Sequence, residues 1–390
     1  MPAYPFLEKE LSWLSFNHRV LQEAMDKSNP PIERARFLGI YSSNLDEYYR
    51  VRVADVRRRI LLHQEVGGDP HARALLSAIQ KRTMELNADF EMAHLEVIRT
   101  LARHNIFLEN EDQLSETHRE WLRRYFHSRI RQFICPILVE PRVDLGDVLA
   151  DDATYLAVEL RLGDDYRYAL VEIPTDHHSR FIELPPETTR RKKPLVLLDN
   201  AIRLSLPDIF EGYFEFDEAR AWSMKMTRDA EYDLSDEIDE SLLDRLSSGL
   251  KQRLTAEPTR LVHDREMPDR VLEMLKQELG ITRIDAIIPG GRYHNMKDFL
   301  SFPSIGRSSL QNPVMPGIAS KALDNQRNYF KVIRDQDVLL HYPYHDFYHF
   351  TEWLRQAAMD PAVESIRISL YRVASSSLVI KAVLDAVANG

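Results

Sequence analysis

From residue 7 onward the chain opens with stretches whose apolar positions recur three and four apart, the spacing of a buried helix face. In the first stretch Phe16, Val20 and Ala24 share one face, with Leu14, Leu21 and Met25 beside them. Pro30-Pro31 ends it, and Pro31 suits the first position of a second helix, where its missing N–H would have no partner in any case. Gly39 and the Ser42-Ser43-Asn44 triplet then interrupt the pattern. Asn44 with Glu47 three residues on is a capping-box-like start, so a third helix is predicted to open at Leu45. Its exposed face would carry Arg50, Arg52, Arg57, Arg58 and Arg59. Two readings of that start stay open. Asn44 is a plain N-cap with solvated arginines behind it, or the outward backbone donors and the arginines together receive a phosphate.

Asp69-Pro70 caps a long helix over about residues 70–103, whose seam runs through Leu76, Ile79, Thr83, Leu86, Phe90, Ala93, Val97 and Thr100. An antiparallel bundle with the first three helices is its economical home, because two threonines in the seam count against a dimeric coiled coil. This gives an amino-terminal helical domain over residues 1–105. After a helix near residues 115–133 the period changes. Tyr155–Leu162 and residues 167–174 read as strands joined by Gly163-Asp164-Asp165-Tyr166, a hairpin signature. Strands near 193–198 and 213–226, with helices near 236–254 and 268–279, complete a mixed α+β middle domain over residues 106–318. Residues 301–330, rich in Ser, Pro, Asn and Gly, read as a linker or extended crossing. Beyond it the order is strand 337–344, helix 346–359, strand 364–373 and helix 377–388. That is the beginning of an α/β domain over residues 319–390, expected to be incomplete because a parallel sheet needs more strands. The fold class is therefore multidomain α and α/β.

Charge and composition narrow the function classes. A formal net charge of −10 over 390 residues argues against a general nucleic-acid binder. Hydrophobic content of 44% and charged content of 29% are those of an ordinary soluble globular protein. No run of apolar residues is long enough for a membrane span, and the first residues, MPAYPFLEKEL, carry no secretory pattern. Cys135 is the single cysteine, which fits a reducing cytoplasm. Neither Gly-x-x-x-x-Gly-Lys nor Gly-x-Gly-x-x-Gly can be drawn, so a nucleotide would be held in some other way. His341, His345 and His349 fall four apart, but Pro343 interrupts any helix there and a zinc triad is not expected, leaving His345 as a phosphate-side donor. Arg190-Arg191-Lys192-Lys193 is the densest basic run, either a polyanion contact or a solvated loop. Gly290-Gly291-Arg292 before Tyr293-His294 reads as a tight turn presenting a cation.

The strings EKELSWLSFN, RARFLGIYSSNLDEYY, KMTRDAEYDL, LKQRLTAEP, PGGRYHNMKDF, LLHYPYH and SLYRVA occur in this order from about residue 7 to the end. They resemble the polyphosphate kinase family, the class that works through a phosphohistidine. The resemblance implies reversible, ATP-driven synthesis of inorganic polyphosphate with magnesium as cofactor, ATP and ADP as nucleotides, and a homodimer. It places the nucleotide side in the first domain, dimerisation and the polyphosphate path in the middle one, and a phospholipase D-like fold in the third. It also implies a cytoplasmic location, with peripheral association at the inner membrane left open.

By the same resemblance Asn44 contacts the nucleotide. Arg372, at the carboxyl end of a predicted strand, belongs to the magnesium–phosphate site. Because a guanidinium has no free lone pair, Arg372 is read as a phosphate contact beside the ion and not as a metal ligand. No His-x-Lys-x-x-x-x-Asp occurs, so the family's nucleophile is expected beyond Gly390 and none of the 14 histidines is assigned to it. Residues 1–390 alone are then expected to be inactive. The alternatives are a non-catalytic nucleotide- or polyphosphate-binding and dimerisation module, and a phospholipase D-type phosphodiesterase.

Overall fold

Helix α1 (Lys9–Met25) turns Glu10, Leu14, Asn17, Leu21 and Ala24 inward. The buried line sits one step round from the Phe16–Val20 face, and Phe16 is 57% exposed. Apolar spacing missed this because a polar residue, Asn17, occupies an inward position. The computed structural model describes residues 6–62, 69–140, 143, 145–150, 153–187, 192–229, 258–281, 285–294, 296–370, 373–374 and 376–390. They fall into two compact units, Met1–Asn312 and Pro313–Gly390.

Helix α2 (Pro31–Tyr48) begins at Pro31 as its sequence predicts, but it does not stop at Gly39 or Asn44. It runs without a break into a π-turn, Tyr49–Val53, and then α3 (Ala54–Leu62). Ile32, Ala35, Leu38, Tyr41, Leu45 and Tyr48 are buried along its length, and that burial outweighs the weak helix propensity of the Ser42-Ser43-Asn44 triplet. Gly39 is explained by approach, not by a break. A Cβ there would lie 2.5 Å from the backbone nitrogen of Leu300, in the 3₁₀ turn Met296–Ser301 that packs on α2. Helix α4 (Pro70–Arg103) is as expected, with Asp69 Oδ1 accepting the Ala72 N–H at 2.9 Å and Leu76, Ile79, Thr83, Leu86, Ala93 and Val97 buried.

Two sheets follow. Strand β1 (Ile106–Glu109) precedes helix α5 (Glu116–Tyr125), which Ser115 caps. Then come β2 (Ile137–Leu138), β3 (Tyr155–Leu162), β4 (Asp165–Glu172), β5 (Phe181–Glu183) and β6 (Lys193–Leu197). They are followed by β7 (Glu218–Arg228), β8 (Pro258–Asp264) and β9 (Ala286–Gly290). The larger sheet has the order β2-β4-β3-β7-β8-β9, antiparallel except for β8 against β9; the smaller has the order β1-β6-β5. Leu162 pairs with Asp165, so the β3–β4 turn is Gly163-Asp164, with Gly163 at φ +59°. The hairpin therefore closes two residues earlier than its sequence suggests.

Strand β3 shows how the sheet divides the core. Leu156, Val158 and Leu160 join one apolar cluster with α5, while Tyr155 and Ala157, on the opposite face, join another with Met224 and Leu261. Phe181, Leu195, Leu197, Ile288, Phe299 and Phe302 pack instead with α1, α2 and α4, so the helices and the sheet edges share one core. The helix predicted over residues 236–254 lies outside the described residues.

In the second unit the helices form, and among the described residues the predicted strands do not. Helices Tyr348–Met359 and Leu378–Ala388 are present, and Tyr329–Asp335 is added. Residues 337–344 and 364–370 carry no ladder; Ile318 and His345 make a single isolated bridge. A strand needs a neighbour for its N–H and C=O groups, and among the described residues of this unit none offers one. No described helix is long and apolar enough to cross a membrane.

Candidate functional site

Because α2 is continuous, the side chain of Asn44 is not needed as a cap. Its Nδ2 donates to Oδ1 of Asn17 at 3.1 Å, and Nδ2 of Asn17 donates to the carbonyl of Tyr41 at 3.1 Å. Asn17 is fully buried and Asn44 half-buried. Two residues along, Asp46 accepts from Nζ of Lys225 at 2.7 Å and from the guanidinium of Arg260. Burial alone would raise the Asp46 carboxyl, but the charges of Lys225 and Arg260 and their hydrogen bonds prevail and hold it below the ordinary aspartate value. Arg260 also lies over the Tyr49 ring, 4.5 Å from its centre, and donates to Oγ1 of Thr227 at 3.1 Å. This knot fastens the end of α2 to β7 and β8.

Four of the five arginines predicted to form a solvated face meet carboxylates, and Arg50 and Arg59 among them stay 34% and 40% exposed. Nε of Arg57 donates to Asp285 at 2.6 Å, with the two side chains 5% and 0% exposed. Nη1 of Arg58 lies 2.7 Å from both Asp229 oxygens, Arg50 meets Glu47 at 2.9 Å and Arg59 meets Asp69 at 3.1 Å. The helix start does not survive as a phosphate receiver, since Leu45 is helix interior, and Arg57 and Arg58 of the arginine face are engaged by Asp285 and Asp229.

Asp46, Lys225 and Arg260 also wall a cavity of about 340 Å³. Tyr41, Leu45 and Asp46 of α2, Phe90 and His94 of α4, and the loop Gly290 to His294 line it; Asn44 does not. Gly290 leaves room for the buried His294 ring, because a Cβ would lie 2.8 Å from its Cε1 and force the ring to shift. Burial first, then the nearby charges of Arg180, His263 and Arg203, push the His294 imidazole down to about 3, so it is neutral. His94 is pushed down to about 4 by burial. Arg292 does not present a free cation. It pairs with Glu111.

The remaining sequence candidates scatter. Arg372 lies outside the described residues, as do Arg190 and Arg191; Lys192 pairs with Glu109 at 2.6 Å and Lys193 begins β6. His341, His345 and His349 do not converge on one point. His345 Nδ1 accepts the His341 N–H at 2.7 Å, which leaves its proton on Nε2, while buried His349 accepts the Ser320 N–H at 2.9 Å and meets Tyr329 Oη at 3.0 Å. Sequence reading missed Asn17, Asp46, Lys225 and Arg260. One signal was available: Lys225 stands between Met224 and Met226 in a strand, where a buried ammonium requires an acid.

Comparison with known proteins gives a consistent result. Family models match in three segments: the polyphosphate kinase N-terminal domain over residues 6–109, the middle domain over 117–302 and the C-terminal domain 1 over 328–390. Polyphosphate kinase of Escherichia coli K12 is 54% identical over 387 residues, 99% of this chain and 56% of that one. That of Vibrio cholerae is 51% identical over 385 residues, covering 99% and 55%. The crystal structure of polyphosphate kinase from Porphyromonas gingivalis superposes with a TM-score of 0.73 at 32% identity, covering 98% of this chain and 54% of that one. The chain thus spans a little over half the length of the relatives it matches.

Proposed function

Because the chain belongs to the polyphosphate kinase family, we propose that the protein carrying it transfers the terminal phosphoryl group of ATP, reversibly, to inorganic polyphosphate through a phosphohistidine. The observation that carries this is identity of 54% sustained over 99% of the chain. In the first half-reaction an imidazole nitrogen bonds to the terminal phosphorus as its bond to the bridging oxygen breaks and ADP leaves. In the second, a terminal oxygen of polyphosphate bonds to the same phosphorus and the N–P bond breaks. Both steps need in-line positioning, and the first needs a neutral, oriented imidazole as the nucleophile.

The chain's own share is nucleotide placement. Asn44 is proposed as a nucleotide contact and Arg372 as a phosphate contact, and the nucleophile is proposed to lie outside these 390 residues. Magnesium is proposed to arrive on the nucleotide phosphates. Among the described residues no group of three or more His, Cys, Asp or Glu side chains forms a metal-donor set. A cytoplasmic homodimer completes the proposal.

The test compares the full-length protein with residues 1–390 alone, each incubated with radiolabelled ATP and magnesium. Polymer and acid-labile protein label are expected from the first and neither from the second. Label on the shorter chain would mean that a histidine among those present is the nucleophile.

A further inference from the structure

The hydrogen bonds around Asn44 have a fixed order. The Tyr41 carbonyl can only accept, so the Asn17 atom 3.1 Å from it must be Nδ2. The Asn17 atom turned to Asn44 is then Oδ1, which can only accept, so Nδ2 of Asn44 must point inward to meet it at 3.1 Å. Either amide drawn the other way round would oppose two acceptors or two donors. Asn44 makes no other side-chain hydrogen bond among the described residues, and Asn17 is wholly buried on the inward face of α1. A polar side chain at such a position is costly unless its groups are satisfied, and both of its groups are engaged here.

We propose that Asn17 is a positioning residue that fixes Asn44 with its carbonyl oxygen outward, so that Asn44 reads a hydrogen-bond donor on the nucleoside half of ATP. The proposal rests on Asn44 being a nucleotide contact. An outward carbonyl attracts an N–H or O–H and repels phosphate oxygens and a ring carbonyl. ATP offers such donors in two places, the 6-amino group of the base and the ribose hydroxyls. Its phosphates at neutral pH offer none. With one Nδ2 hydrogen spent on Asn17 and the carbonyl outward, Asn44 favours the nucleoside over the phosphates.

The experiment uses the full-length enzyme with ATP, inosine triphosphate (which carries a 6-oxo group in place of the amine) and 2′-deoxy-ATP. KM and kcat are measured for wild type, Asn44→Ala, Asn17→Leu and Asn17→Asp. Wild type is expected to favour ATP over one of the two analogues, and which one identifies the donor. Asn17→Leu frees the Asn44 amide to turn, so KM for ATP should rise about tenfold, kcat should change little, and the preference should collapse toward unity. Asn17→Asp still accepts from Asn44, so it should keep the preference although it loses the Tyr41 contact and melts earlier. A structural role alone would leave the preference unchanged in both variants, and that result overturns the proposal. An unchanged KM in Asn44→Ala would instead overturn the nucleotide contact on which it rests. Where Asn17→Leu does not fold, Asn17→Ala carries the same comparison.

Discussion

Residues before and after 312 meet their apolar sequence in different ways. In the first unit β3 buries six consecutive residues, Tyr155 to Leu160, between two neighbouring strands and two apolar clusters. In the second, residues 337–344 and 364–370 have a comparable strand-like composition, yet Leu339 is 87% exposed and Leu370 46%. Helices form in both, because an α-helix satisfies its backbone internally and a strand does so only with a partner. The ion pairs differ likewise. The first unit joins Asp46 to Lys225 and Arg260 and Arg57 to Asp285, across long stretches of chain and out of water. The second unit's Glu352–Arg355 pair is local, with the arginine 55% exposed.

The largest expected effect tests that contrast directly. Asp46→Ala would take from Lys225 and Arg260, 2% and 3% exposed, the buried carboxylate they share. Removing one partner of a buried pair costs about 3–5 kcal/mol. Arg355→Ala removes an i,i+3 pair at the surface and should cost no more than about 0.5 kcal/mol. Urea unfolding of the two variants measures both. Similar losses would mean that the buried network is as dispensable as the exposed pair.

The same contrast marks what could be read from residues alone. The α4 seam, the Asp69 cap and the β3–β4 hairpin are local patterns, and each is present within two residues of its expected place. The break at Gly39 and Asn44 was misread because both residues answer to distant parts of the chain. Gly39 answers to Leu300, and Asn44 to Asn17 on the preceding helix. Asp46 is 179 residues from Lys225 and 214 from Arg260, separations that no motif spans. For Arg57 and Arg58 the solvated reading failed for the same reason, as Asp285 and Asp229 lie far along the sequence. In the second unit the two strands followed from pattern correctly in composition but without a ladder to join.

A second, smaller effect is expected from acid. His294 and His94 have folded values of about 3 and about 4, below the ordinary 6.5. Below pH 6.5 the unfolded chain binds protons that the folded chain refuses, so stability present above that pH falls as pH drops toward each folded value. For an ordinary histidine reference, the loss by pH 5.5 is about 1 kcal/mol for each residue. The two together should cost about 2 kcal/mol. Urea midpoints at pH 7 and 5.5 measure the fall, and His94→Phe should remove about half of it, since phenylalanine carries no proton and leaves no buried nitrogen without a partner. A midpoint that does not move between the two pH values would contradict the burial of both rings.

The smallest effect compares one chemistry in both units. Ser115 accepts the His118 N–H at 3.1 Å and caps α5, while Ser377 accepts the Ile380 N–H at 3.4 Å and caps the helix Leu378–Ala388. Replacing either by alanine should cost about 1 kcal/mol. How the loss is spread should differ. Helix α5 sends Leu122 into a large cluster with Leu156, Val158 and Phe210, so its later turns open only when that core opens. Helix Leu378–Ala388 buries Val379 and Ala382 against a small cluster whose third buried member is Leu354, so less packing holds it than holds α5. Hydrogen exchange should therefore quicken along the whole of residues 379–388 in Ser377→Ala, by about fivefold. In Ser115→Ala it should quicken only in the first turn of α5. If exchange spreads equally through both helices, packing does not separate the two units in the way their burial indicates.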